Sequence, residues 1–170
     1  VVNYDGDRAG VQAAKKATTT IPIVFFTAAD PVALGLVTSL NRPGGNLTGT
    51  TALTLEVGTK WLQLLKETVP TATTFAVLVN PTSPVLAEAQ TKDLRAAART
   101  LGVQINVLDA STNREFESVF ANAAKLGAGG LVISSDSFFF AHIEQLAALA
   151  SRYKLPAIFG FREYPKAGGL

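Results

Sequence analysis

The sequence predicts an α/β protein built on a doubly wound parallel sheet. Two observations carry this expectation. Short runs of β-branched, aromatic and aliphatic residues recur along the chain. They are mostly apolar rather than strictly alternating, which is the pattern of strands buried on both faces. Between them lie stretches whose apolar residues repeat every three or four positions, the pattern of crossover helices laid on a sheet.

The elements follow in order. Residues 8–17 read as a short helix, and residues 21–26 (IPIVFF) as the first strand. A second helix is expected over residues 31–40, with Asp30 as N-cap and Pro31 at the first helical position. Asn41-Arg42-Pro43-Gly44-Gly45-Asn46 is turn chemistry and a natural boundary. One strand and two helices cannot close a core alone. Residues 1–50 therefore read as part of a lobe whose first strands lie elsewhere.

After Glu56 the alternation becomes regular. Val57, Trp61, Leu64, Leu65 and Val69 fall at helical spacing before a strand at residues 74–79 (TFAVLV). Residues 85–101 form an Ala-rich helix with Leu86, Ala89, Ala97 and Leu101 near one stripe, and Gly102 suits the left-handed residue that ends it. Strands are expected at residues 103–108, 130–134 and 156–161. The helices between them rest on Phe116, Val119, Phe120 and Ala123, then on Ile143, Leu146, Ala147, Ala150 and Tyr153. Residues 51–161 thus make a complete doubly wound unit.

Composition excludes several classes of chemistry. Of the 170 residues, 48% are hydrophobic and 16% charged, an ordinary globular balance. The formal net charge is +2 and no Lys or Arg run suggests a nucleic-acid groove. With no cysteine, a disulfide, a Cys-ligated zinc and a thiol nucleophile are all excluded. His142 is the single histidine, so no metal is expected, and a packed or solvated imidazole is the better reading. There is no G-x-S-x-G elbow, no Walker A loop and no Rossmann fingerprint, so no cofactor is expected and the chain reads as a binding protein rather than an enzyme. Glu115 and Glu117 flank a helix start, where the helix dipole accounts for them. No apolar run reaches the ~20 residues of a membrane helix. The chain contains no methionine and opens on Val1, so it is expected to begin inside a longer reading frame.

In a parallel sheet, ligands bind at the carboxyl ends of the strands. The residues there are small, polar or aromatic, suited to fixing a small ligand without performing chemistry. They are Thr27, Ala28 and Asp30; Asn80, Thr82 and Ser83; Ser135, Asp136, Ser137 and Phe138; and Arg162 and Glu163. Each has a plainer reading. Asp30 caps the expected helix, Asn80 to Pro84 form a turn with Pro84 as a helix start, and Asp136 or Ser137 caps the helix begun by Phe138. Among Phe138, Phe139 and Phe140 at most two rings can face one core, which leaves one for a cleft or a partner surface.

The ordered set of motifs resembles one family. Thr19-Thr20-Ile21-Pro22-Ile23-Val24-Phe25, Asp30-Pro31-Val32, and Arg42-Pro43-Gly44-Gly45-Asn46-Leu47-Thr48-Gly49 carry the resemblance. So do Lys60-Trp61-Leu62, Val69-Pro70 and Ala76-Val77-Leu78-Val79-Asn80-Pro81. They are similar to the ABC-transporter substrate-binding proteins, the family that includes tryptophan- and tyrosine-binding subunits. The resemblance implies a type I periplasmic-binding fold: two α/β lobes joined by crossing strands, closing on a ligand about a hinge. On that pattern residues 1–50 hold part of lobe one and the first crossing, residues 51–161 hold lobe two, and residues 162–170 start a return crossing. The chain would be truncated relative to the two-lobed family, and the cut chain would be open to self-association.

The family's ligand contacts fall on the loops already singled out. Asp136 would suit a ligand ammonium, and Arg162 a carboxylate held bidentately. The bulk of residues 138–140 opens the ligand class from amino acids to small aromatic or aliphatic acids. The function implied is periplasmic or extracytoplasmic capture of a small molecule for the permease subunits of an ABC importer. Two other classes stay open: the ligand-sensing domain of a transcription regulator, which shares the two-lobed fold, and an α/β enzyme such as a nucleotide-dependent oxidoreductase.

Overall fold

The structure is a computed structural model that describes residues 2–4, 8–27, 30–51 and 55–169. It divides into two compact units, residues 1–55 and 56–170. Each carries its own parallel sheet.

Unit 2 is the doubly wound body that the periodicity predicts. Its elements are α2 (Leu55–Thr68), β4 (Thr74–Val79), α3 (Pro84–Leu101), β5 (Gln104–Asp109), α4 (Phe116–Lys125), β6 (Leu131–Ile133), α5 (Ser137–Phe140), α6 (Ile143–Arg152), β7 (Ala157–Phe159) and α7 (Glu163–Lys166). The strands lie in the order β5-β4-β6-β7, all parallel. Central β4 is the clearest case of a strand buried on both faces. Phe75, Val77 and Val79 pack with Trp61, Leu62, Leu65 and Leu94 on one side. Ala76 and Leu78 pack with Phe116, Phe120, Leu146 and Leu149 on the other. Successive side chains of a strand point to opposite faces, so an unbroken apolar run fills two cores at once. Helix α3 ends as expected at Gly102, with φ 65°. Its last turn closes through Gly102 N–H to Arg99 O and Val103 N–H to Ala98 O.

Residues 162–169 belong to unit 2. Among them Glu163–Lys166 form the short helix α7, whose Tyr164 is fully buried against the Phe159 ring. Burial without a charged partner pushes the Tyr164 hydroxyl well above the ordinary tyrosine range.

Unit 1 departs further from expectation. It contains α1 (Arg8–Ala17), as predicted, and three strands rather than one: β1 (Val2–Tyr4), β2 (Ile23–Thr27) and β3 (Leu47–Thr51). They pair in parallel in that order. A core cluster of Val11, Ile23, Phe25, Leu34, Leu36, Val37 and Leu47 forms beside them. The turn at residues 41–46 lies inside this unit and leads into β3. Asn46 ties it back through Nδ2 to Thr18 O and Ile21 O.

The helix expected over residues 31–40 is absent: the segment is a single turn followed by bends. Gly35 is the reason. It adopts φ +66°, and Gly35 N–H bonds Val32 O while Leu36 N–H bonds Pro31 O. That is the Schellman closure that terminates a helix, placed one turn after the cap. The apolar spacing of Leu34, Leu36 and Val37 serves a turn packed on the sheet.

Candidate functional site

Strands β4 and β6 are neighbours, with Leu78 opposite Ile133. Their carboxyl ends therefore deliver residues 80–83 and 134–138 side by side. The two loops are joined by side chains. Asn80 is buried, and its Nδ2 donates to Asp136 Oδ1 at 3.1 Å. Asn80 Oδ1 in turn accepts from Thr82 N–H and Thr82 Oγ1, at 3.0 and 2.7 Å. This Asx turn orders the loop that precedes α3. Ser83 occupies the position before α3 without a side-chain cap bond, and Pro84 starts the helix.

Asp136 fills the capping role, one of the two readings the sequence leaves open for it. It is the N-cap of α5, its Oδ1 accepting from Phe138 N–H at 2.8 Å. The Asn80 bond falls on the same Oδ1. The second oxygen makes no hydrogen bond among the described residues, although Asp136 is only 6% exposed. A buried carboxylate needs partners, because removing its hydration is costly. Here one oxygen is satisfied and the other keeps its lone pairs.

A buried residue that the sequence reading passed over completes the arrangement. Gln90 lies within α3, 6% exposed, and its Oε1 accepts from Ser135 N–H at 3.1 Å. Its Nε2 reaches Ser135 O at 3.4 Å. A signal was available: Leu86, Gln90 and Leu94 share the i, i+4, i+8 stripe that faces the core. A polar residue on such a stripe marks a buried polar partner. The Ser135 hydroxyl itself is enclosed and has no hydrogen-bond partner among the described residues.

The three phenylalanines separate. Phe139 is fully buried, Phe138 is half-buried, and Phe140 is 38% exposed. The left-over ring is therefore Phe140, which packs against Phe161 at 4.8 Å between centroids. Phe138 contacts Phe116, Phe139 and His142. His142 is packed, as its plainer reading has it, its Nδ1 2.8 Å from Phe138 O. It sits at the cap of α6 rather than one turn into a helix.

The remaining candidates stand elsewhere. Ser137 is exposed. Arg162 is exposed and pairs with its neighbour Glu163 at 3.4 Å; such a surface pair is worth little. In unit 1, Thr27 is buried at the end of β2, and Asp30 Oδ1 accepts from Val32 N–H at 2.8 Å, at the start of the single turn that stands where a helix was expected. Ala28 lies outside the described residues. A groove of about 570 Å³ runs between α3 and strands β4 and β5, past Thr91, Lys92, Arg95 and Asp109, and none of the sequence-predicted site residues lines it. Among the described residues no group of three or more His, Asp or Glu side chains is placed to hold a metal ion. None of their helices is long and apolar enough to cross a membrane.

Away from the loops, Glu115 closes a capping box with Thr112 and accepts backbone N–H bonds from Ser111 and Thr112. Those bonds hold its carboxyl below the ordinary glutamate range. Glu117 pairs with Arg152 and accepts from Tyr153, tying α4 to α6.

Known proteins share this architecture. A conserved domain protein from Vibrio cholerae superposes with a TM-score of 0.81 at 27% identity, over 96% of this chain and 54% of that one. A domain from Streptococcus pneumonia, solved in complex with L-Trp, superposes at 0.76 with 20% identity, over 96% of this chain and 54% of that one. The fold is of the type I periplasmic-binding class. The family profile described as ABC transporter substrate binding protein matches residues 8–170, and the chain belongs to that family. A tyrosine-binding protein of Clostridioides difficile is 32% identical over 161 residues, 94% of this chain and 45% of its relative. The chain thus spans about half the length of the relatives it matches.

Proposed function

We propose that the full-length protein is the extracytoplasmic solute-binding component of an ABC importer, that it binds and does not catalyse, and that the carboxyl edge of the unit 2 sheet supplies part of its ligand site. The ligand is an amino acid or a small aromatic or aliphatic acid, handed to membrane permease subunits. Capture between two lobes, with unit 1 as part of lobe one and unit 2 as lobe two, belongs to the same proposal. The observation that carries it is the half-used carboxylate of Asp136. Two donors hold Oδ1, so the carboxylate is oriented before any ligand arrives, while Oδ2 is left for a ligand ammonium. Asn80, Thr82, Ser83, Ser135, Ser137 and Phe138 accompany it on the two joined loops. Thr27, Ala28 and Asp30 in unit 1, and Arg162 and Glu163 at the end of unit 2, complete the proposed set. The name of the 32%-identical relative makes L-tyrosine the first ligand to try.

Asp136→Asn separates the two roles, because Asn caps a helix about as well as Asp and carries no charge. Calorimetric titration of the full-length protein with L-tyrosine is expected to show at least about tenfold weaker binding for the variant, the scale of a charged hydrogen bond. Its melting temperature should stay within a few degrees of wild type. Unchanged affinity in Asp136→Asn, with a large melting loss only in Asp136→Ala, would reduce Asp136 to a helix cap.

A further inference from the structure

We infer that Gln90 is a positioning residue for this site: it holds the Ser135 peptide, and through it fixes where the Asp136 carboxylate points. The inference rests on the ligand reading of Asp136 given above. It starts from where the sheet ends. The β4–β6 pairing stops at Leu78 and Ile133, and the last backbone bond across it is Ser134 N–H to Leu78 O at 3.0 Å. One residue later the chain is still buried, with Ser135 at 4% exposure, but no strand is left to pair with it. A buried peptide without partners is costly, so its N–H and C=O must be met from elsewhere.

Gln90 meets both. Its amide offers one acceptor and one donor in a fixed plane, the same pair that a neighbouring strand would present. The Ser135 hydroxyl gives no help, since it is enclosed and unpartnered among the described residues. Asp136 follows directly with extended φ −134° and ψ 141°, so rotation of the Ser135 peptide would carry its carboxylate away from Asn80 and Phe138 N–H. Gln90 also stands on α3, which begins where the loop at residues 80–83 ends. Two cross-links therefore join the paired loops, Asn80 to Asp136 and Gln90 to Ser135. The first touches the proposed ligand group and the second lies behind it.

The test uses the full-length protein carrying Gln90→Met, which keeps length and removes both hydrogen bonds, and Gln90→Glu, which keeps only the acceptor. Amide hydrogen exchange without ligand is read first. Phe138 N–H reports the carboxylate orientation, because its partner is Asp136 Oδ1. In Gln90→Met it is expected to exchange about tenfold faster or more, while Ala76 N–H inside β4 keeps its protection. Titration with L-tyrosine is read second. Gln90→Met should weaken binding about tenfold in the wild-type background and less than about twofold when Asp136→Asn is already present. Unchanged Phe138 exchange overturns the inference, as does an equal loss of affinity in both backgrounds. Should Gln90→Met fail to fold, Gln90→Leu, which also removes both hydrogen bonds, takes its place with the same two criteria. If the wild-type protein binds no L-tyrosine, the ligand proposal fails, and the Phe138 exchange still decides the role of Gln90.

Discussion

Units 1 and 2 both hold parallel sheets, yet they bury them differently. In unit 2, β4 is covered on both faces and contributes to two separate cores. In unit 1, β2 alternates: Ile23, Phe25 and Thr27 are buried, whereas Val24 is 45% exposed. Ile21 and Leu40 are also exposed, at 57% and 61%. An apolar run therefore has two outcomes. It fills two cores where helices cover both faces, and it leaves apolar surface outward where the described residues cover one. The better-covered unit also carries the buried polar network, because buried hydrogen bonds need a rigid apolar surround to exclude water.

The largest expected effect is in the two-sided unit. Phe116 is fully buried and contacts the rings of Phe138, Phe139 and His142. Phe116→Ala should destabilise unit 2 by about 3–5 kcal/mol in urea denaturation. A loss below about 1 kcal/mol would mean that this core is looser than its burial suggests.

The next effect belongs to unit 1. Gly35 has φ +66°, and a Cβ there would meet no atom within 4 Å. Gly35→Ala should cost about 1 kcal/mol from backbone conformation alone, read as faster exchange of Leu36 N–H. An unchanged rate would show that the turn does not need its left-handed residue.

Smaller still is the acid dependence at Glu115, which sits before α4 in unit 2. Its lowered folded-state pKa means that it favours folding above the ordinary glutamate range, and that this contribution is lost as the pH falls through the lowered value. Glu115→Gln should melt slightly below wild type at neutral pH, and the gap should close in acid. A gap that persists in acid would assign the effect to shape rather than charge.

The smallest effect probes the open face directly. Val24→Thr should change stability by no more than about 0.5 kcal/mol, as for an exposed position. A cost above about 1 kcal/mol in the full-length protein would show that Val24 is covered there, and would remove the contrast between the two sheets.

Much of unit 2 was legible in advance. The strand at residues 74–79 is found with the expected bounds, and the others shift by one or two residues. These elements are set by local periodicity, which a sequence displays openly. In unit 1 the apolar spacing after Pro31 was read as a helix, because the left-handed role of Gly35 outweighs periodicity and leaves no trace in the spacing itself. Strand β1 was not foreseen, and β3 was read only as a crossing. The Gly and Thr residues of β3 carry little apolar signal, and pairing with β2 decides its state. Of the candidate residues, Asp30 bonds Val32 N–H but caps no helix, Asp136 rather than Ser137 takes the cap of α5, and the exposed ring among residues 138–140 is Phe140.

By itself, then, the sequence determined the alternation of strands and helices in unit 2, the helix end at Gly102, and the family that its motifs resemble. Only the tertiary structure decided which polar groups meet. Asn80 and Asp136 are 56 residues apart, and Gln90 and Ser135 are 45. No local pattern encodes such pairs. They exist because a parallel sheet sets the ends of β4 and β6 side by side, and because a peptide buried past the last strand pairing must find its hydrogen bonds in whatever helix lies next to it.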